Sequence, residues 1–486
     1  MSPGHAASAA HVWVDARFAS ADTLPALLGA AARAGADHAE VIGEAGQHGT
    51  PATREALGAL LDAAEAAGAR LIVWLRGGRL HADALSVLGE VFERYPDSVL
   101  GYGDWSGPAG RIRPPAYSPL RLLEHDYLGP VVAFPPASLR ELLAGASDEP
   151  GSEVDALDLV LAFDGAPAAA VTVPRTLAAL ASQPESQRRA NDDRALRSVR
   201  RRLRETGASV EPRAEGVRRV RFAVQGRPLV SVIIPTRGGS ATVAGRERVL
   251  VVEAVRGIVE RTAYDNVELV VVADEQTPQP VVDALAELAG DRLRLVRFTG
   301  PFNFSEKVNA GAVAARGEHL LLLNDDIEIV HPDWLERMVA LVQRPGVGAV
   351  GALLYFEDST IQHAGHLYEH GQAGHIAIGW HGGQRDPLHT LEVVRETSGA
   401  TAACLLVPAE VFAEVGGFCT LLPGNYNDAD FCMKLRAGGR SVVVTPDARL
   451  YHFESKTRDA TVLRSEIATL RRRWVRQAQV DVYFRS

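Results

Sequence analysis

Three apolar runs in the second half of the chain each end in polar residues, and this recurrence restricts the fold more than any other feature. LVSVIIPT leads into Thr236-Arg237, VELVVVAD closes at Asp274, and HLLLLNDD closes at Asn324-Asp325-Asp326. Short runs this rich in leucine and β-branched residues read as strands buried on both faces. Between them, Val251, Val252, Val255, Ile258 and Val259 follow helical spacing. Alternating strands and helices predict an α/β sheet, where ligands bind at the carboxyl ends of strands. The polar residues after each strand are where a site belongs.

The first half carries the same alternation. Strands are expected at His11–Asp15, Ala39–Gly43, Arg70–Leu75 and Val99–Tyr102, with helices at Pro51–Ala67 and Asp83–Tyr95. At 486 residues the chain exceeds one compact core, which predicts two or three domains. A net charge of −9 argues against a nucleic-acid binder. No apolar run approaches the ~18 residues that a membrane span needs. The first residues show neither a basic stretch nor a long apolar one, which argues against secretion. The three cysteines lack metal-ligand spacing and read as small buried hydrophobes of a reducing compartment. The expected location is the cytoplasm, with peripheral attachment to the inner face of the membrane left open.

Two acidic groups stand out. Asp325 and Asp326 end a buried strand, where adjacent carboxylates are costly unless a positive charge meets them. A hard divalent cation and a helix cap both satisfy that need. Asn427-Asp428-Ala429-Asp430 opens a helical pattern after Val415-Gly416-Gly417-Phe418. Its acids suit either chemistry or the helix dipole. His452 reads as a core histidine or a metal ligand.

In order and spacing, VSVIIPTR, VVVAD, FNFSEKVNAGAVAARGEHLLLLNDD, GGF, NDADF and LYHFESKTR resemble glycosyltransferase family 2. The similarity extends to bacterial surface-polysaccharide and rhamnosyltransferase-like members. It implies an α/β fold with a GT-A nucleotide-diphospho-sugar transferase domain and an inverting transfer to a glycan or lipid-linked acceptor. By the same resemblance, Pro235, Thr236 and Arg237 border the base and ribose, and Asp274 meets the base. Lys307 and Asn309 approach the ribose or diphosphate, and Asp325 the ribose. Asp326 binds Mg²⁺ or Mn²⁺, with His452 completing the site. Asp428 is the general base and Asp430 its support. The usual metal motif is Asp-x-Asp; here Asn324 occupies its first position.

The first half reads as a degenerate GT-A-like copy. A shift of 272 positions sets Asp158 on Asp430 and Ala156 on Asp428, and one of 250 sets Arg76 on Asp326. The expected division is a pseudo-domain at 1–185, an Arg-rich linker helix with a connecting strand at 186–227, and the catalytic domain at 228–486. The linker helix carries eight arginines between Gln187 and Arg204 and reads as a solvated face. The histidine- and glycine-rich stretch from His363 to His389 reads as a flexible loop beside the acceptor groove. Ser398-Gly399-Ala400-Thr401 suits either sugar approach or close packing. A sugar nucleotidyltransferase and a non-catalytic glycan-binding scaffold are the competing functions. The first would leave Asn427-Asp428-Ala429-Asp430 without a task, and the second would leave Asp326, Asp428 and His452 without one.

Overall fold

The computed structural model describes residues 9–20, 22–43, 49–146, 151–453 and 461–485. The end of the last motif, Glu454 to Arg458, lies outside them. The chain forms two compact units, Met1–Val220 with the short segments Asp386–His389 and Arg485–Ser486, and Arg221–Arg385 with Thr390–Phe484.

The first unit runs β1 (Ala10–Asp15), α1 (Leu24–Arg33), β2 (His38–Ile42), α2 (Arg54–Ala66), β3 (Leu71–Leu75), β4 (Arg79–Leu80), α3 (Ala84–Arg94), β5 (Leu100–Gly107) and β6 (Gly110–Ile112). It continues with α4 (Pro119–Glu124), β7 (Val131–Phe134), α5 (Pro136–Ala146), α6 (Ala156–Leu161), β8 (Ala170–Ala179) and α7 (Glu185–Arg202). A small pair, β9 (Ser209–Pro212) and β10 (Arg218–Arg221), follows. The main sheet has the order β2-β1-β3-β7-β5-β8-β4.

The second unit runs β11 (Val230–Thr236), β12 (Ser240–Val243), β13 (Arg246–Val249), α8 (Leu250–Arg261), β14 (Val267–Asp274), α9 (Gln279–Ala289), β15 (Leu293–Phe298), α10 (Phe304–Ala314), β16 (His319–Leu323) and β17 (Ile327–Ile329). Next come α11 (Trp334–Val342), β18 (Val347–Tyr355), β19 (Ile361–His363), β20 (His366–Glu369), β21 (Gln372–His375), β22 (Arg395–Thr397) and β23 (Cys404–Pro408). The unit closes with α12 (Ala409–Glu414), α13 (Asn427–Ala437), β24 (Ser441–His452) and α14 (Arg464–Trp474). Its sheet order is β15-β14-β11-β16-β23-β18-β24-β17.

Apart from the extra edge strand β15, the two orders are the same. The directions repeat as well: β1 is parallel to β2 and β3, as β11 is to β14 and β16. The next strand is antiparallel in both, β7 against β3 and β23 against β16. Both sheets are therefore mixed, mostly parallel on one side, as the α/β reading expected.

The strands read from the apolar runs form as anticipated. All seven residues of β11 and all five of β16 are buried, so both faces are covered by helices. The helix α10 lies flush on the sheet because Gly311 has no side chain; a Cβ there would collide with Ile233 and Val272. Lys307, one turn earlier on α10, is thereby held against the strand ends.

The Arg-rich helix differs from the solvated linker expected of it. α7 buries Ala195, Ser198 and Val199. Arg202 donates to Leu161 O at 2.7 Å and Arg194 to Arg17 O at 2.8 Å. It closes the first unit, whose contacts extend past residue 185 to Val220. Periodicity showed the helix, but its charge masked the narrow apolar face.

Candidate functional site

A cavity of about 320 Å³ opens at the carboxyl ends of β11 and β16. Pro235, Thr236 and Arg237 line it from the end of β11, and Asn324, Asp325 and Asp326 from the end of β16. Thr236 donates its hydroxyl to Asp325 Oδ2 at 2.5 Å. Burial pushes the Asp325 carboxyl up to about 6, and the neighbouring Asp326 adds to the effect. Two carboxylates share the strand end, and Lys307 offsets part of their mutual repulsion.

Lys307 lines the cavity, is 2% exposed, and pairs with Asp274 at the end of β14. Asp274 itself stands behind Lys307 and outside the cavity wall. Asn309 also points elsewhere. Its amide donates to Phe418 O at 2.9 Å and accepts from Phe418 N at 2.8 Å. It clamps the Gly416-Gly417-Phe418 turn, where the resemblance placed it near the ribose or diphosphate.

His452, at the end of β24, faces Asp326. Its Nε2 lies 3.2 Å from Asp326 Oδ1 and 2.9 Å from Asn324 Nδ2. Its Nδ1 lies 2.6 Å from Gln362 Oε1, while Gln362 Nε2 donates back to His452 O at 3.3 Å. The Gln362 amide is thus fixed with its oxygen toward the ring, so Nδ1 carries the hydrogen and Nε2 the lone pair. The Nε2 lone pair accepts from Asn324 Nδ2, which leaves Asp326 Oδ1 beside an acceptor nitrogen where a bound cation would be shared by both. Among the described residues no three His, Cys, Asp or Glu side chains form a ready-made metal cage. The donor set suits a cation held by one or two protein oxygens and completed by substrate phosphates, and a Gln-oriented imidazole fits the same arrangement.

A further wall comes from α13 and from the strands β20 and β21. Asp428 lines the cavity; its Oδ1 accepts from Ala429 N at 2.8 Å and its Oδ2 from Ala402 N at 3.3 Å. The preceding Tyr426 has a positive φ of 60°, a left-handed conformation that bulky residues rarely adopt. That turn sets the angle at which α13 begins and delivers Asp428 into the cavity. Asp430, one residue past the next, is fully buried and outside it. Its Oδ1 accepts from Arg473 Nε at 2.6 Å and Trp474 Nε1 at 2.8 Å, both on α14. Asp430 fastens α13 to α14, so its support of Asp428 acts through the helix.

The stretch expected as a flexible loop is ordered sheet in its first part, through β20 and β21, and turns and irregular chain after His375. His363 and His366 are 1% and 3% exposed, and His366 and His375 line the cavity. Glycine content suggested a loop, but β19 is buried throughout and β20 alternates buried and half-buried positions. Gln362, His366 and Tyr426 are the site residues that sequence reasoning missed. No local pattern signalled the first two: Gln362 meets His452 90 residues later, and His366 faces Asp428. Gly399 resolves toward close packing: a side chain there would strike Tyr368 and His366.

Residues 227–477 match the family described as Glycosyltransferase like family 2. Among curated proteins, the chain is 40% identical over 268 residues to an uncharacterized protein, y4gI, of Sinorhizobium fredii, covering 53% of this chain and 28% of that protein. It is 31% identical over 402 residues to the O-antigen biosynthesis protein RfbC of Myxococcus xanthus, covering 79% of this chain and 31% of that one. The chain thus spans less than a third of either relative. Among solved structures, it resembles the mannosyltransferase PcManGT of Pyrobaculum calidifontis in complex with GDP-Man and Mn²⁺, at 20% identity and a TM-score of 0.35, over 48% of this chain and 59% of that one. It also resembles GalNAc-T7 with UDP, GalNAc and Mn²⁺, at 14% identity and a TM-score of 0.40, over 50% and 48% of the two chains. The family match covers more than half of the 486 residues, includes every motif that carried the resemblance, and leaves one conclusion: this chain belongs to glycosyltransferase family 2.

Proposed function

We propose that the second unit is an inverting, metal-dependent transferase. It moves a sugar from a nucleoside-diphosphate sugar to a hydroxyl of a glycan or lipid-linked acceptor in surface-polysaccharide synthesis. The observation that carries this reading is one cavity lined by two chemically different groups. Asp325, Asp326 and His452 make up one, and Asp428 is the other.

Beside the first group, Thr236 and Arg237 bind the nucleoside, and Lys307 brings a buried positive charge toward the diphosphate. Asp326 and His452 hold Mg²⁺ or Mn²⁺, with Asp325 beside them. A divalent cation bound there supplies neutralisation of the negative charge that grows on a departing diphosphate. Asp428, the second group, accepts the proton of the acceptor hydroxyl as its oxygen bonds to the anomeric carbon. The anomeric carbon–phosphate oxygen bond breaks on the opposite face, through an oxocarbenium-like transition state. Attack and departure on opposite faces of the sugar require separate groups for the base and for the leaving diphosphate, and Asp428 is distinct from the Asp326–His452 pair. A role in polysaccharide synthesis is supported by RfbC, which is named for O-antigen biosynthesis.

Among the described residues no helix is long and apolar enough to cross a membrane. We place the enzyme in the cytoplasm, where nucleotide sugars are available, with peripheral contact to the inner membrane face when the acceptor is lipid-linked.

The test is Asp428→Asn with UDP-, GDP- and dTDP-hexoses and Mn²⁺. Donor binding should persist while nucleoside-diphosphate release falls by about 10²–10⁴-fold, the usual contribution of a general base. Wild-type turnover by Asp428→Asn would refute the assignment.

A further inference from the structure

Around Asp428 three polar groups form a chain, Tyr368, His366 and Asp428 itself. The Tyr368 hydroxyl lies 3.1 Å from His366 Nδ1. On the other side of the ring, His366 Nε2 faces Asp428 Oδ2 at 3.7 Å. That is just beyond hydrogen-bond reach, a looseness common at catalytic pairs before substrate binds. Tyr368 is fully buried and His366 is 3% exposed. The backbone presses the pair together: His366 N donates to Gly399 O at 2.7 Å, and only glycine leaves room for both rings at that position.

We propose that His366 is a positioning residue for Asp428, and that Tyr368 fixes the imidazole tautomer so that an Nε2–H points at the carboxylate. This rests on the reading of Asp428 as the base and extends it by two residues. The tautomer follows from elimination. Burial lowers the His366 pKa to about 4, with Asp428 opposing and His375 reinforcing the shift, so the ring is neutral near pH 7. It therefore has one N–H and one lone pair. Burial also raises the Tyr368 pKa well above its usual value, with Cys432 and Asp428 adding to the effect, so the phenol keeps its hydrogen.

If Nδ1 carried the ring hydrogen, it would meet the tyrosine hydroxyl with a second donor. The phenol hydrogen would lose its acceptor in a dry interior, and the Nε2 lone pair would face a carboxylate. Both terms are unfavourable. With the hydrogen on Nε2, Tyr368 donates to Nδ1 and the ring presents a positive edge to Asp428. Such an edge favours the ionised carboxylate, the form able to take a proton, and restrains its rotation.

A second chain supplies an internal reference. Thr401 N donates to His363 Nε2 at 3.1 Å, and His363 Nδ1 lies 2.6 Å from His375 Nδ1. The His375 tautomer is therefore set by His363, independently of Tyr368.

Two measurements on the full chain test the proposal. In ¹⁵N ring spectra, the His366 signals are those lost in His366→Gln. They should report an Nε2–H tautomer in the wild type and move in Tyr368→Phe, while those of His375 stay. An Nδ1–H tautomer in the wild type overturns the proposal without any variant having to fold. The second measurement is nucleoside-diphosphate release with Mn²⁺, using the fastest substrate among UDP-, GDP- and dTDP-hexoses. His366→Phe should lower kcat about 10- to 100-fold, the range for losing a partner that orients a reactive side chain, with donor KM within about twofold. His366→Gln, whose amide can present an N–H to Asp428, should recover most of the loss. Wild-type kcat in His366→Phe, or a Gln variant as slow as the Phe one, overturns the positioning role. If Asp428→Asn is inactive in either of those cases, the proposed function stands and only this inference fails. If Asp428→Asn turns over normally, the reading of the base itself falls.

Discussion

The two units use one sheet order for opposite electrostatic ends. After β16 the second unit places Asn324, Asp325 and Asp326, and brings His452 to face them. After β3 the first unit places Arg76, then Gly77 and Gly78. Counted from the strand ends, the shift is 248 positions (323 less 75), so the glycines stand where the acids are, and Arg76 corresponds to Asn324. The shift of 250 read from sequence holds from the following helix, where Asp83 and Asp333 both occupy the N-cap. Arg76 pairs with Asp126 and lies 3.7 Å from Asp155. Burial works against its charge, yet the two acids hold its pKa above the usual value. Beside it, Arg17 grips Asp15 at 2.7 Å and Trp74 donates to Asp15 at 3.0 Å. The first unit carries its own cation, covalently attached, where the second places two adjacent acids beside a histidine. The comparison shows that sheet order survives replacement of the charges at its strand ends.

A second pair makes the complementary point. Asp158 on α6 lies 3.8 Å from Arg201 on α7, and Asp430 on α13 lies 2.6 Å from Arg473 on α14. In each unit the arginine follows its aspartate by 43 residues. This contact recurs in the unit that lacks the acids, so its role is architectural.

Removing the charge on the open side should have the largest effect. Asp326→Ala is expected to lower turnover about 10³-fold or more, the scale of several kcal/mol of charge stabilisation, with an unchanged melting temperature. Calorimetry on the wild type should show one nucleotide-sugar site per chain; two sites of similar affinity would break the contrast between the units. Next comes Arg76→Met, which strands Asp126 and Asp155 in a dry interior. It should destabilise the first unit by about 3–5 kcal/mol and leave turnover at 25 °C intact. A loss of turnover without unfolding would show that the first unit contributes to catalysis. Third, Arg473→Met should cost about 2–3 kcal/mol, because it leaves a fully buried carboxylate with Trp474 as its remaining donor. Arg201→Met should cost about 1 kcal/mol or less, its contact being longer and partly exposed. Equal losses on denaturant titration would contradict the geometry.

The smallest effect is a pH dependence. Burial pushes Asp158 up to about 6 despite Arg201, against an unfolded value of ~3.9. The folded state thus favours the protonated acid. Its contribution is complete below the unfolded value and is lost as pH rises through about 6. The first unit should gain roughly 1 kcal/mol between pH 7 and pH 5 from this group. Asp158→Asn should flatten that part of the profile, as read by thermal melts.

The sequence showed the strands and the acids, because apolar runs and their polar ends are local patterns. It did not show which of two nearby aspartates faces the cavity. Asp428 and Asp430 differ by about 200° around a helix, but their neighbours in sequence are alike, and the partners that bury Asp430 come 43 residues later. Asn309 was misplaced for the same reason, since its clamp on Phe418 spans 109 residues. The histidine wall was obscured by glycines that serve close packing, as Gly399 does, where composition suggested mobility.

The left-handed backbone at Tyr426 has a consequence for the history of such a chain. A conformation of this kind costs on the order of 1–3 kcal/mol, and glycine or asparagine would relieve much of it. A lineage selected only for heat resistance would therefore be drawn to replace Tyr426, and would lose the ring that lines the cavity mouth. Folding stability and the lining of the cavity thus make opposite demands on this one position.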